Sequence, residues 1–245
     1  MTIKARLSGD DFDLQTLARA LGSDTEPTVA QDEVGFYLTS PALDSLFADG
    51  GKMYEIASRL LTRANGIGRL SDSSFRPAQL SGDFNDGSRS HRVVQAGVAE
   101  ARFHLTATAT VVSSSGSTQA PPAKPKGQKV AESAAANKDV DEALSWLAKA
   151  QGESVWFHLN KSYEVIREGV GGVPPAVATQ KLVATGWTTQ AEIDAFANSA
   201  NTQSVSGELA RHARGRPKNS NTMTSTEGIE LIGRLLAAWA ATLAP

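Results

Sequence analysis

Four polar residues between positions 198 and 212 are of types that bind anions or transfer protons. Asn198 and Asn201 precede the adjacent pair Arg211 and His212. A histidine titrates near neutral pH and can act as acid or base, and a neighbouring arginine can bind a phosphate or stabilise an anion. The two asparagines could orient either of these side chains. Alternatively, His212 and Asn201 could cap or brace a break between two helices, with Arg211 paired to Glu208 or Glu227.

A basic cluster continues directly after this pair. Arg214, Arg216 and Lys218 lie with Arg211 in a stretch that contains no Asp or Glu. Such a cluster attracts phosphate groups without reading sequence. The order Arg-Gly-Arg-Pro-Lys also matches the core of an AT-hook, whose arginines enter the narrow minor groove of A·T-rich DNA. A solvated loop between two helices is the alternative interpretation.

The composition bounds what the rest of the chain can do. The 245 residues are 40% hydrophobic and 20% charged, which predicts a packed core. The net charge of −2 gives no bulk attraction to nucleic acid or anionic membranes, so any such contact must be local. The absence of cysteine excludes disulfides, thiolate zinc sites and cysteine nucleophiles.

Targeting and cofactor signals are missing from the sequence. The first ten residues contain no apolar segment typical of a secretory signal, and no run approaches the length of a membrane span. Walker A, Gly-x-Ser-x-Gly and His-Glu-x-x-His motifs are absent. The sequence therefore predicts a cytoplasmic protein with no cofactor, no metal site and no membrane partner.

A change in composition divides the chain. Residues 113–130 are rich in Ser, Pro and Lys and almost without large apolar side chains. Such a segment cannot bury enough surface to offset the entropy of ordering it. We therefore predict an α+β domain over 1–112, a flexible linker over 113–130 and a helical bundle domain over 131–245.

The N-terminal part combines strand and helix patterns. Alternating polarity predicts strands over 3–7 and 35–39. An apolar stripe predicts a helix over 52–64, with Asn65-Gly66 as its C-terminal stop. The Asp86-Gly87 step predicts a hairpin between flanking strands. Together these elements predict a small, mostly antiparallel sheet covered by a helix.

The C-terminal part has only helical patterns. Apolar residues recur at helical spacing from Val140 onward, which predicts short amphipathic helices that must pack on one another. Thr189-Gln-Ala-Glu192 and Thr224-Ser-Thr-Glu227 have the spacing of capping boxes, each opening a helix. The predicted fold class is therefore α+β, with the sheet first and a separate all-α bundle after it.

The order and spacing of eleven residues in this bundle resemble a pattern found in other proteins. The pattern consists of Phe196, Ala200, Asn201, Arg211, His212, Ala213, Pro217, Lys218, Met223, Glu227 and Trp239. It resembles the C-terminal helical module of uncharacterised bacterial two-domain proteins and is distantly similar to HEPN domains. The resemblance implies a small antiparallel bundle with a polar Arg/His site. HEPN ribonucleases place Arg and His several residues apart on one helix, whereas Arg211 and His212 are adjacent.

These observations predict a non-catalytic interaction module. The helical domain would bind a partner protein or RNA phosphate through the polar and basic residues 198, 201, 211, 212, 214, 216 and 218. The enzyme alternative is a metal-independent, HEPN-like ribonuclease in bacterial stress or phage defence that uses His212 with Arg211. The third possibility is a DNA-binding accessory protein that uses the AT-hook-like basic loop.

Overall fold

The computed structural model describes residues 2–22, 25–46, 48–93, 126–210 and 220–243. Its N-terminal part mixes strands and helices, as the sequence predicts. In chain order the elements are β1 (Lys4–Ser8), α1 (Asp11–Ala20), β2 (Thr28–Asp32), β3 (Gly35–Thr39), α2 (Pro41–Asp44), α3 (Gly50–Ser71), β4 (Gln79–Asn85) and β5 (Ser90–Arg92).

The strands form one antiparallel sheet in the order β2-β3-β1-β4-β5. Along β1 the side chains alternate, so Ala5 lies in the core while Lys4 and Arg6 are only partly buried. The predicted hairpin joins β4 to β5, and Gly87 in its turn has a φ of +94°, a conformation that favours glycine. The α+β fold class is confirmed.

Strand β2 is an element that the sequence does not reveal. Its residue Asp32 accepts bonds from Lys4 Nζ at 2.8 Å and from Arg6 Nη1 at 2.6 Å. These two cations on β1 hold the pKa of Asp32 well below its usual range. The backbone of β2 pairs with β3, and these ion pairs tie it in addition to β1, so a strand without an alternating apolar pattern still belongs to the sheet.

Helix α3 is longer than predicted. It continues through Asn65 and Gly66 to Ser71, so the expected stop at this pair is wrong. The Asn65 side chain is turned into the protein, where it bonds both backbone groups of Ala78 at 2.9 Å. Tertiary contacts therefore override a local sequence signal that is typical of a helix end.

Helices make up the described part of the chain after residue 126. They are α4 (Lys126–Ala136), α5 (Lys138–Ala148), α6 (Val155–Gly171), α7 (Pro175–Ala184), α8 (Gln190–Asn201), α9 (Gln203–Ser206) and α10 (Ser225–Leu243). Two 3₁₀ turns, Gly152–Ser154 and Gly207–Leu209, precede α6 and follow α9.

The predicted linker is too long at its C-terminal end. Residues 126–130 belong to α4, where Val130 is buried and, one turn further, Ser133 Oγ donates to the Ala240 carbonyl of α10 at 2.9 Å. Local composition missed this helix because its stability comes from packing against α3 and α10. Residues 113–125 of the predicted linker lie outside the described residues.

The sheet-bearing part and the helices pack against each other. Helix α3 contacts α4, α5 and α10, and the buried apolar side chains of both parts form one continuous core. Arg63 of α3 also pairs with Asp141 of α5, with Nε and Oδ1 2.7 Å apart. The predicted bundle is therefore not isolated from the sheet. Whether the two parts can fold independently stays a prediction.

Candidate nucleic-acid interface

Both predicted capping boxes are present and fix the helices around the candidate site. Helix α8 begins with the reciprocal bonds of Thr189 and Glu192. At the start of α10, the Thr224 backbone N–H donates to Glu227 Oε2 at 2.7 Å, and the Glu227 N–H donates to Thr224 Oγ1 at 3.2 Å. These bonds from Thr224 also hold the pKa of Glu227 below its usual value.

The C-terminal half of α8 forms hydrogen bonds with the segment that leads into α10. Asn198 Nδ2 donates to the Asn221 carbonyl at 2.9 Å. Ser199 Oγ donates to the Met223 carbonyl and accepts from the Met223 N–H, both at 2.8 Å. Asn198 and Ser199 are both buried. Asn198 thus braces the join between α8 and the segment that leads into α10; a role for Asn198 in ligand binding stays a prediction.

Asn201 lies one turn further along α8, and only one of its two side-chain polar atoms has a hydrogen-bond partner. Its Nδ2 donates to the Ala197 carbonyl at 2.9 Å, a bond within its own helix. Its Oδ1 is buried and has no hydrogen-bond partner among the described residues. A buried acceptor without a donor is uncommon, so Asn201 is the described residue of the predicted site with binding capacity left over.

The charged residues of the predicted site lie outside the described residues: Arg211, His212, Arg214, Arg216 and Lys218. Their position relative to Asn198 and Asn201 therefore stays a prediction. What the structure does provide is the position of the residues on either side of this segment, which we call the basic segment (211–219).

Both flanks of the basic segment line one cleft. This cleft has a volume of about 420 Å³ and opens between the first turn of α6, the turn after α9 and the first turn of α10. Its lining residues are Trp156, Val205, Ser206, Leu209, Thr222, Met223, Thr224, Ser225 and Glu227. Leu209 precedes the basic segment and Thr222 follows it, so the chain leaves and re-enters the described structure beside the same cleft.

A larger groove of about 830 Å³ lies elsewhere, between α3, α4 and α10. Its walls include Leu70, Val130 and small residues of α10. Arg234 at its edge is already paired with Glu192, with Nη2 and Oε1 2.5 Å apart. Half of its lining residues are polar or charged, but none of the predicted site residues lines it.

Sequence reasoning missed a group of side chains at the surface, which we call the aromatic cluster: the exposed Phe157 and Lys149 and the partly buried Trp146 and His158. The Trp146 ring lies against both Phe157 and His158, and Lys149 Nζ lies over its face. The available signal was position, because Trp146 and Phe157 fall off the apolar stripes of α5 and α6. An aromatic residue on the polar face of a helix is not needed for the core.

The described part of the chain shows neither a metal site nor a membrane-spanning helix. There, no group of three or more His, Asp or Glu side chains is placed to hold a metal ion. Among the same residues, none of the helices combines the length and apolar character needed to cross a membrane. Comparison with protein-family models, with curated proteins and with solved structures finds no match to the chain.

Proposed function

We propose that this protein is a non-catalytic nucleic-acid-binding module that contacts RNA phosphates through the basic segment (211–219). The observation that supports this most strongly is the fixing of both flanks of the segment at one cleft. Ser199 holds Met223 by two hydrogen bonds, and Leu209 lines the same cleft as Met223. Four cationic residues without an intervening acid are therefore attached to the fold at both ends.

The two attachment points of the basic segment matter because they reduce the conformational entropy that it loses on binding. A basic stretch tethered at two fixed points loses less conformational freedom on contact with phosphate than a free tail does. The net charge of −2 provides no general attraction, so affinity must come from this local cluster. A protein partner for the same segment would have to present an acidic surface.

We expect weak, salt-dependent binding of single-stranded RNA. Three or four phosphate contacts on a single strand give a slope of about −2 to −3 in a plot of log affinity against log salt concentration. The dissociation constant should lie at about 10⁻⁴ to 10⁻⁶ M. Fluorescence anisotropy of a labelled oligouridine of about 12 nucleotides, titrated at several salt concentrations, measures both quantities.

A control distinguishes binding by the basic segment from binding by positive charge elsewhere on the protein. Alanine at Arg211, Arg214, Arg216 and Lys218 together should remove the salt-dependent binding. A matched variant exchanges four exposed cations of the sheet-bearing part for alanine: Arg19, Lys52, Arg59 and Arg92. This variant should keep most of the affinity. Equal losses in both variants, or no binding by the unaltered protein at low salt, would refute the proposal.

We also expect that the protein does not cleave RNA. Adjacent residues point about 100° apart around a helix and to opposite faces of a strand. Arg211 and His212 therefore cannot both face one phosphodiester from either regular structure. Incubation with end-labelled RNA, followed by gel electrophoresis, should show intact substrate. Fragments that disappear in His212→Ala would instead favour the ribonuclease.

A further inference from the structure

The aromatic cluster (Trp146, Lys149, Phe157 and His158) is built like a surface for stacking. The Trp146 and His158 rings are stacked, with centroids 5.8 Å apart and planes 26° apart. Phe157 meets Trp146 edge-on at 6.3 Å. Lys149 Nζ lies 5.0 Å from the centre of the Trp146 ring. Three rings and one cation thus form a single patch on the outer surface of α5 and α6.

Several contacts hold this patch in place before any ligand arrives. Trp146 Nε1 donates to Glu142 Oε1 at 3.3 Å, which orients the indole. Burial and the neighbouring Lys149 lower the pKa of His158, so its ring is mainly neutral at physiological pH. Rings that are fixed in advance lose little freedom on binding.

The patch nevertheless leaves binding capacity unused. The Phe157 side chain is 41% exposed although it is fully apolar. Lys149 is exposed and forms no ion pair with the described residues. An exposed apolar ring beside a cation without a counter-ion fits a ligand that is both aromatic and anionic.

The position of the patch connects it to the proposed RNA contact. The 3₁₀ turn Gly152–Ser154, which opens α6, contacts the turn Gly207–Leu209. Phe157 lies in the first turn of α6, and Leu209 comes two residues before the basic segment (211–219). These two contacting turns therefore link the aromatic cluster to the described residues that precede the basic segment.

We propose that the aromatic cluster is a stacking platform for unpaired bases, so that the protein selects single-stranded over double-stranded RNA. This inference rests on the proposed function and specifies its substrate class. Bases in a duplex are stacked on each other and cannot lie on a protein ring, whereas unpaired bases can. The phosphates are common to both forms, so the preference must come from the rings.

The decisive experiment compares Phe157→Ala with Phe12→Ala. Both are exposed phenylalanines, at 41% and 48%, but Phe12 lies on α1 in the sheet-bearing part. Phe157→Ala should weaken binding of labelled oligouridine by about tenfold, the value of one lost base stack. Duplex RNA of the same length should bind more weakly than the single strand, and its affinity should not change in either variant.

The outcomes separate this inference from the proposed function. If single strand and duplex bind equally, and Phe157→Ala binds like Phe12→Ala, the platform is refuted while phosphate binding stands. If the unaltered protein binds neither RNA at low salt, both proposals fall. Thermal unfolding of each variant verifies that it is folded.

Tryptophan emission, followed on the folded protein as RNA is added, gives a second readout. A base stacked on the exposed Phe157 ring, which meets Trp146 edge-on, should quench the fluorescence of Trp146 as RNA is added. Trp146→Phe keeps a ring for stacking but removes this signal, so quenching should disappear while binding persists. Trp187→Phe is the matched control, because Trp187 lies between α7 and α8 and should not report on RNA. Quenching that is unchanged in Trp146→Phe would contradict the platform.

Discussion

Gly66→Ala is expected to destabilise the protein by about 2–3 kcal/mol, because helices α3 and α5 are in contact at this position. A Cβ atom on Gly66 would overlap Leu144 Cδ2 and would lie 2.6 Å from the Leu144 carbonyl oxygen. The second atom belongs to the backbone, so a change of rotamer cannot relieve the overlap. Urea unfolding monitored by tryptophan fluorescence measures the loss.

Gly51→Ala is the matched control, since it lies in the same helix. The nearest atom to its added Cβ is 3.8 Å away, an ordinary contact distance. Alanine is intrinsically better in a helix than glycine by up to about 1 kcal/mol. Gly51→Ala should therefore be neutral or slightly stabilising. A Gly66→Ala protein as stable as the unaltered one would mean that α3 and α5 are not packed this closely.

This comparison also shows why part of the fold escaped sequence reasoning. Asn65-Gly66 is a typical helix stop, but here each residue serves a distant partner: Asn65 bonds Ala78, and Gly66 admits Leu144. Neither partner is visible from the local sequence. The strands β1 and β3 and both capping boxes were predictable because their signals are local, in alternation or in i to i+3 spacing.

The candidate site, too, was predictable from the sequence only in part. The sequence identified the stretch around Asn198 and Asn201 from residue types, but type alone does not separate a ligand-binding amide from a structural one. Asn198 proves to brace Asn221, and Ser199, which carries no functional signal, holds Met223 by two bonds. The aromatic cluster was missed because its rings come from two different helices.

The other large effect is expected at Asn65, where Asn65→Ala should cost about 2–4 kcal/mol. The Asn65 side chain is buried, and its amide bonds the Ala78 backbone as a neighbouring peptide group would. Its Nδ2 donates to the Ala78 carbonyl and its Oδ1 accepts from the Ala78 N–H, both at 2.9 Å. Alanine would leave two buried backbone groups without partners, at about 1–3 kcal/mol each, offset by a small gain in helix propensity.

Thr62→Ala, about one turn earlier in α3, is the control for this prediction. Thr62 Oγ1 bonds only the Ser58 carbonyl of its own helix, so the change should stay within about 0.5 kcal/mol. Asn65→Asp adds a test of the bonding pattern. Its carboxylate can accept from the Ala78 N–H, but it can donate to the Ala78 carbonyl only when protonated.

The pH dependence of Asn65→Asp has a defined sign. Burial should raise the folded-state pKa of the new carboxyl above its unfolded value of about 3.9. The loss in free energy of unfolding, relative to the unaltered protein, should therefore be largest above the folded-state pKa. It should become smaller as the pH falls toward the unfolded-state pKa. Urea unfolding of the variant and of the unaltered protein across this range measures the difference. A deficit that does not change with pH would show that Asn65 does not pair with both backbone groups of Ala78.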